Sequence, residues 1–147
     1  MGAWGTSVFE NDSACDFIAY LQNNSAGMTD ELVRIHEAFK DEDYLEVDEC
    51  SSLLAMAELI LNSFGAKPTH EIAKEVNFNV IKETVTLSFL NQLISLLEIT
   101  LNIDNRERSE LFELWEEADP KDFAEWKDSS FCLLEGIKNI RDEQFSN

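Results

Sequence analysis

Chemistry in this chain has few side chains to rest on: two histidines, three cysteines and a large excess of carboxylates, thirty in all. His36 falls on the apolar face of a helical repeat, and His70 follows Pro68 near a helix start. Both read as residues satisfied by a local hydrogen bond rather than as bases or ligands. A di-iron bundle needs Glu-x-x-His pairs, and neither histidine has a glutamate three residues before it. Cys15, Cys50 and Cys132 are widely spaced and odd in number, without Cys-x-x-Cys, which suggests neither a disulfide framework nor a zinc site. Phosphate-binding, dinucleotide-binding, nucleophile-elbow and His-Glu-x-x-His motifs are absent. The expectation is therefore no catalytic residue, no metal and no cofactor.

Carboxylates are so abundant that close pairs arise by chance, and most belong to solvated faces. Asp12 and Asp16 stand apart because they are four residues from each other, beside the large apolar Trp4 and Phe9. Like charges at that spacing cost a helix about 0.2–0.5 kcal/mol, while an acid at the helix N-terminus gains roughly 0.3–1 kcal/mol from the dipole. Asn11 and Asp12 are thus expected to cap a helix, with Asp16 holding a backbone or basic group. The sharper alternative makes Trp4, Phe9, Asn11, Asp12 and Asp16 the wall of a small-ligand site.

The acidity is also uneven. Residues 30–49 hold nine acids against Arg34 and Lys40, and residues 107–125 hold eight against Arg108 and Lys121. Together they carry most of the net charge of −19. Side by side they would make a field that steers a basic partner and repels nucleic acid. Asp41, Glu42, Asp43, Tyr44, Glu46, Asp48, Glu49, Glu113, Glu116 and Glu117 are the candidate partner-binding residues. Tyr44 would bury against the partner while the charges select Arg or Lys.

The elements that must position these residues follow a helical period. Ala14, Phe17, Ile18 and Leu21 give a first helix to about residue 23. Thr29 is placed to cap a second helix, with Leu32, Ile35, His36 and Phe39 on its inner face, before an acidic connection over residues 40–49. Cys50, Leu53, Leu54, Ala57, Ile60, Leu61 and Phe64 make the clearest stripe, ended by Gly65. Residues 70–76 suggest a short helix and residues 77–81 a loop or extended piece. Residues 84–102 are apolar nearly all round, which predicts the central helix of the fold. A short helix over 108–118 and a last one opened by Asp119 and Pro120, carrying Trp126 and Ile137, complete the chain. No segment alternates with a period of two. The expected architecture is all-α, a single compact domain over residues 1–147 with six or seven helices around a central hydrophobic helix.

The opening block, Met1 to Gly5 followed by Phe9, Asn11, Asp12, Ala14 and Asp16, resembles that of a bacterial group known as domain of unknown function 4259. Ser7 departs from the glycine usual there. The resemblance continues through residues 41–47, 55–58 and 109–117, covering most of the chain in the family's order. It implies no activity and supplies no catalytic residues to transfer.

Three functions follow as expectations. The first is an acidic, non-catalytic binding protein that neutralises a basic protein, in the manner of an immunity protein, an antitoxin or a nucleic-acid mimic. The second is a small-molecule binder or enzyme using the N-terminal block. The third is a homo-oligomer subunit joined through the helices bearing Trp115 and Trp126. Glu98 and the polar pair Asn91-Gln92 interrupt the longest apolar segment, and no basic-then-apolar leader is present, so the expected compartment is the cytoplasm and no membrane contact is expected.

Overall fold

The computed structural model describes residues 5, 7–24 and 26–145. Among them are seven α-helices: α1 (Asp12–Asn23), α2 (Met28–Glu42), α3 (Val47–Ser63), α4 (Phe78–Thr84), α5 (Leu87–Thr100), α6 (Glu110–Glu116) and α7 (Pro120–Gln144). A 3₁₀ turn at Glu71–Glu75 precedes α4. No strand occurs among the described residues, and the fold is all-α.

Side-chain caps set most of the boundaries. Asn11 accepts a hydrogen bond from the Ala14 N–H at 2.8 Å, so Asn11 caps α1 and Asp12 is its first residue. Thr86, Ser109 and Asp119 cap α5, α6 and α7 in the same way, with Pro120 opening α7 where its missing N–H costs nothing. The end of α3 is a Schellman turn. Gly65, at φ 111°, donates to the Asn62 carbonyl and Ala66 to that of Leu61.

Three expectations are corrected. Thr29 lies inside α2, which starts at Met28 after an N-cap at Gly27 that makes no side-chain bond. Residues 78–81 are helical, because Asn77 accepts from the N–H groups of Asn79 and Val80 and starts α4. The apolar stretch after residue 84 is not the centre. It forms one helix, α5, set at 94° to the α4 that precedes it, and no single helix among the described residues is long and apolar enough to cross a membrane.

The centre is α3. Every residue from Glu49 to Ile60 is buried, and α3 packs against each of the other six α-helices. Ser51, Ser52, Ala55 and Ala57 are small, which lets neighbours approach on all sides, whereas α5 turns Ser88, Asn91 and Ser95 to solvent and leaves Leu87 43% exposed. Overall apolarity favours α5, but side-chain size around the helix decides which one can be surrounded.

Cys50 lies in this core with its thiol 3.4 Å from the Ser109 hydroxyl, and burial pushes its pKa up to about 11. Cys132 is exposed. A thiol reagent at pH 8 is expected to modify Cys132 readily and Cys50 only on unfolding. Mass spectrometry of native and urea-unfolded protein checks this, and rapid native labelling of Cys50 would contradict the packing.

Candidate functional site

The two acidic segments meet through the backbone. Leu45 and Ser109 form an isolated parallel bridge, with the Leu45 N–H donating to the Arg108 carbonyl at 2.8 Å and the Glu110 N–H to the Leu45 carbonyl at 2.9 Å. Leu45 is wholly buried and anchors the loop between α2 and α3. Side chains extend the seam. Glu110 accepts from the Val47 N–H at 2.7 Å, supplying an acceptor for the first turn of α3, and the Tyr44 hydroxyl donates to Glu113 at 3.1 Å. Arg108 binds Asp43 at 2.7 Å and also Asp104, with its guanidinium 5.2 Å from the centre of the Phe39 ring.

The seam sorts the predicted carboxylates into two groups. Asp41 and Glu42 in the last turn of α2, and Glu116 and Glu117 at the end of α6, are exposed and make no hydrogen bond or ion pair with other described residues. Glu46 and Glu49 are a capping box for α3, each side chain accepting from the other's backbone N–H. Glu49 is 9% exposed, which leaves it little surface for a partner, and burial pushes its carboxyl above the ordinary range. Asp43 sits at φ 53° with its charge matched by Arg108, and Asp48 is exposed and accepts from Ser13.

Tyr44 is half-buried against Glu113 rather than free to enter a partner. Burial, and then the bond to Glu113, push its pKa up to about 12. Because the folded value lies above the ordinary value of about 10, the stability this phenol contributes is fully present below pH 10 and lost as pH rises through 12. Tyr44→Phe is expected to cost about 1 kcal/mol at pH 8 and to lose less stability than the parent between pH 10 and pH 12. Urea melts at the three pH values measure both effects.

Sequence reasoning missed Glu110, Arg108 and Ser109. Ser109 directly before an apolar helical repeat was a visible cap signal. The partnership of Glu110 with Val47 had none, since it joins residues 63 apart in the chain.

In the N-terminal block, Trp4 lies outside the described residues. Phe9 is wholly buried, its ring 6.4 Å from that of His70, whose Nδ1 accepts from the Ile72 N–H. His36 is half-exposed at a groove between α2 and α5 rather than buried. Gly5, Ser7, Val8 and Asn11 border a small, partly open cavity of about 20 Å³, room for one water. Asp12 is exposed, and Asp16 is exposed with no bond or ion pair to another described residue. No cluster of three or more His, Cys, Asp or Glu side chains among the described residues is arranged to hold a metal ion.

The family model for the Domain of unknown function (DUF4259) matches residues 2–129. The chain belongs to this family. No curated protein and no solved structure matches it. The DUF4259 match takes in the N-terminal block, both acidic segments and the seam between them, and ends within α7.

Trp115 and Trp126 stack on each other inside the molecule, ring centres 5.8 Å apart, so any contact with a second copy would use the outer faces of their helices rather than these rings.

Proposed function

We propose that this DUF4259 protein is an acidic, non-catalytic binding protein that neutralises a basic protein partner in the cytoplasm, in the manner of an immunity or antitoxin protein. The observation that supports this reading is the Leu45–Ser109 bridge, which sets the two most acidic segments of the chain against each other. Repulsion between them is relieved locally by Arg108 and by capping, while Asp41, Glu42, Glu116 and Glu117 keep uncompensated charge at the surface. Such a field accelerates encounter with a basic surface and opposes approach of a nucleic acid.

Affinity capture of the tagged protein from a lysate of its own cells, at 50 mM and 500 mM salt, tests the reading. One basic protein should be retained in stoichiometric amount at low salt and be depleted at high salt, because screening shortens the reach of the field. Retention that does not respond to salt, or no retained basic protein, would count against it.

A further inference from the structure

A solvent-open cleft of about 260 Å³ lies between α1, α2 and α3. It joins Asp16 of the N-terminal block to Asp48 of the acidic block, two residues that the chain order keeps apart. Ser13 bonds Asp48 across the floor, and Asp16 follows Ser13 by three residues on the same face of α1. The half-buried Tyr20 forms the aromatic wall, backed by the buried Phe17 ring 6.4 Å from it. Arg34 stands on the rim, its charge already taken by two bonds to Glu31 at 2.6 Å and 3.2 Å. The surplus is therefore negative, held by Asp16 and Asp48.

A second feature of the cleft is independent of its charge. Ser52 lines it, is 7% exposed, and its hydroxyl makes no hydrogen bond with any described residue. That hydroxyl opens onto the cleft and can accept from a donor that enters it.

From this geometry we infer that the cleft seats one arginine side chain of the basic partner; the inference rests on the neutralising reading above. The volume falls below the roughly 300–1,000 Å³ of pockets for drug-sized ligands and suits a single side chain. A guanidinium matches the lining better than an ammonium does. It is planar, so it stacks on Tyr20, and it presents several N–H donors at once to Asp16, Asp48 and Ser52.

The test uses octa-arginine and octa-lysine peptides against the full chain at low salt, with affinity read by fluorescence anisotropy and contacts by amide chemical shifts. The wild type should prefer octa-arginine by about tenfold, with shifts at Asp16, Tyr20 and Ser52. Asp16→Asn and Ser52→Ala should each remove most of that preference and change octa-lysine binding far less. Asp16 is exposed and alanine suits a helix, so both variants keep the fold. Octa-arginine binding with an unchanged preference in both variants and no shift in the cleft would overturn the arginine seat and leave the acidic-face reading standing. Failure of both peptides to bind the wild type would sink that reading, and the seat with it.

Discussion

Trp126→Ala is expected to lower the unfolding free energy by about 3–5 kcal/mol and the melting temperature by about 10 °C, the largest loss we anticipate from any single truncation. Trp126 is 4% exposed and sits at the centre of an aromatic cluster. It stacks on Trp115 at 5.8 Å and on Phe123 at 6.4 Å, and meets Phe112 edge-on at 6.0 Å. Two of those rings belong to α6, a helix of only seven residues. Helices that short have little stability of their own and depend on tertiary packing. Removing the indole should therefore free α6 from α7 and, with it, loosen Glu110 from Val47 and Glu113 from Tyr44. Trp126→Phe should recover a large part of the loss because ring stacking survives. Calorimetry on the three proteins measures the stabilities. Amide exchange at residues 45–47 reports the seam: protection unchanged in Trp126→Ala would mean that α6 is held by something other than this cluster.

The second large effect concerns binding. Changing Asp41 and Asp43's neighbour Glu42, together with Glu116 and Glu117, to Asn or Gln should weaken octa-arginine and octa-lysine alike, on the order of a hundredfold at low salt. None of these four carboxylates makes a bond or ion pair with another described residue, so stability should stay within about 0.5 kcal/mol. Relief of self-repulsion in so acidic a chain can raise it slightly. The preference for arginine over lysine should survive, because the cleft is untouched. Anisotropy titrations at two salt concentrations, alongside urea melts, separate the outcomes. A variant that folds normally and binds both peptides as tightly as its parent would show that this face does not carry the recognition.

Local signals carried much of the helical layout. The stripe from Cys50 to Phe64 with Gly65 behind it, and Asp119 followed by Pro120, are readable because periodicity and capping chemistry act within a few residues. The helix at α4 escaped notice because it is a seven-residue segment rich in β-branched and aromatic residues, and its start depends on an Asn77 side chain that also suits turns. The acidic connection was shorter than its composition suggested, since α2 continues to Glu42 and the Glu46–Glu49 box starts α3 four residues later.

Composition and period by themselves determined an all-α protein, its strong acidity and the absence of recognisable catalytic motifs, and the sequence over residues 2–129 its family. Only the tertiary structure decided that α3 is the helix surrounded on every side, that residues 43–47 are joined to residues 108–113, and that Asp16 and Asp48 share one cleft. Those are relations between segments far apart in the chain. They depend on which side-chain volumes allow close approach and which backbone groups find partners there, and no local pattern encodes either.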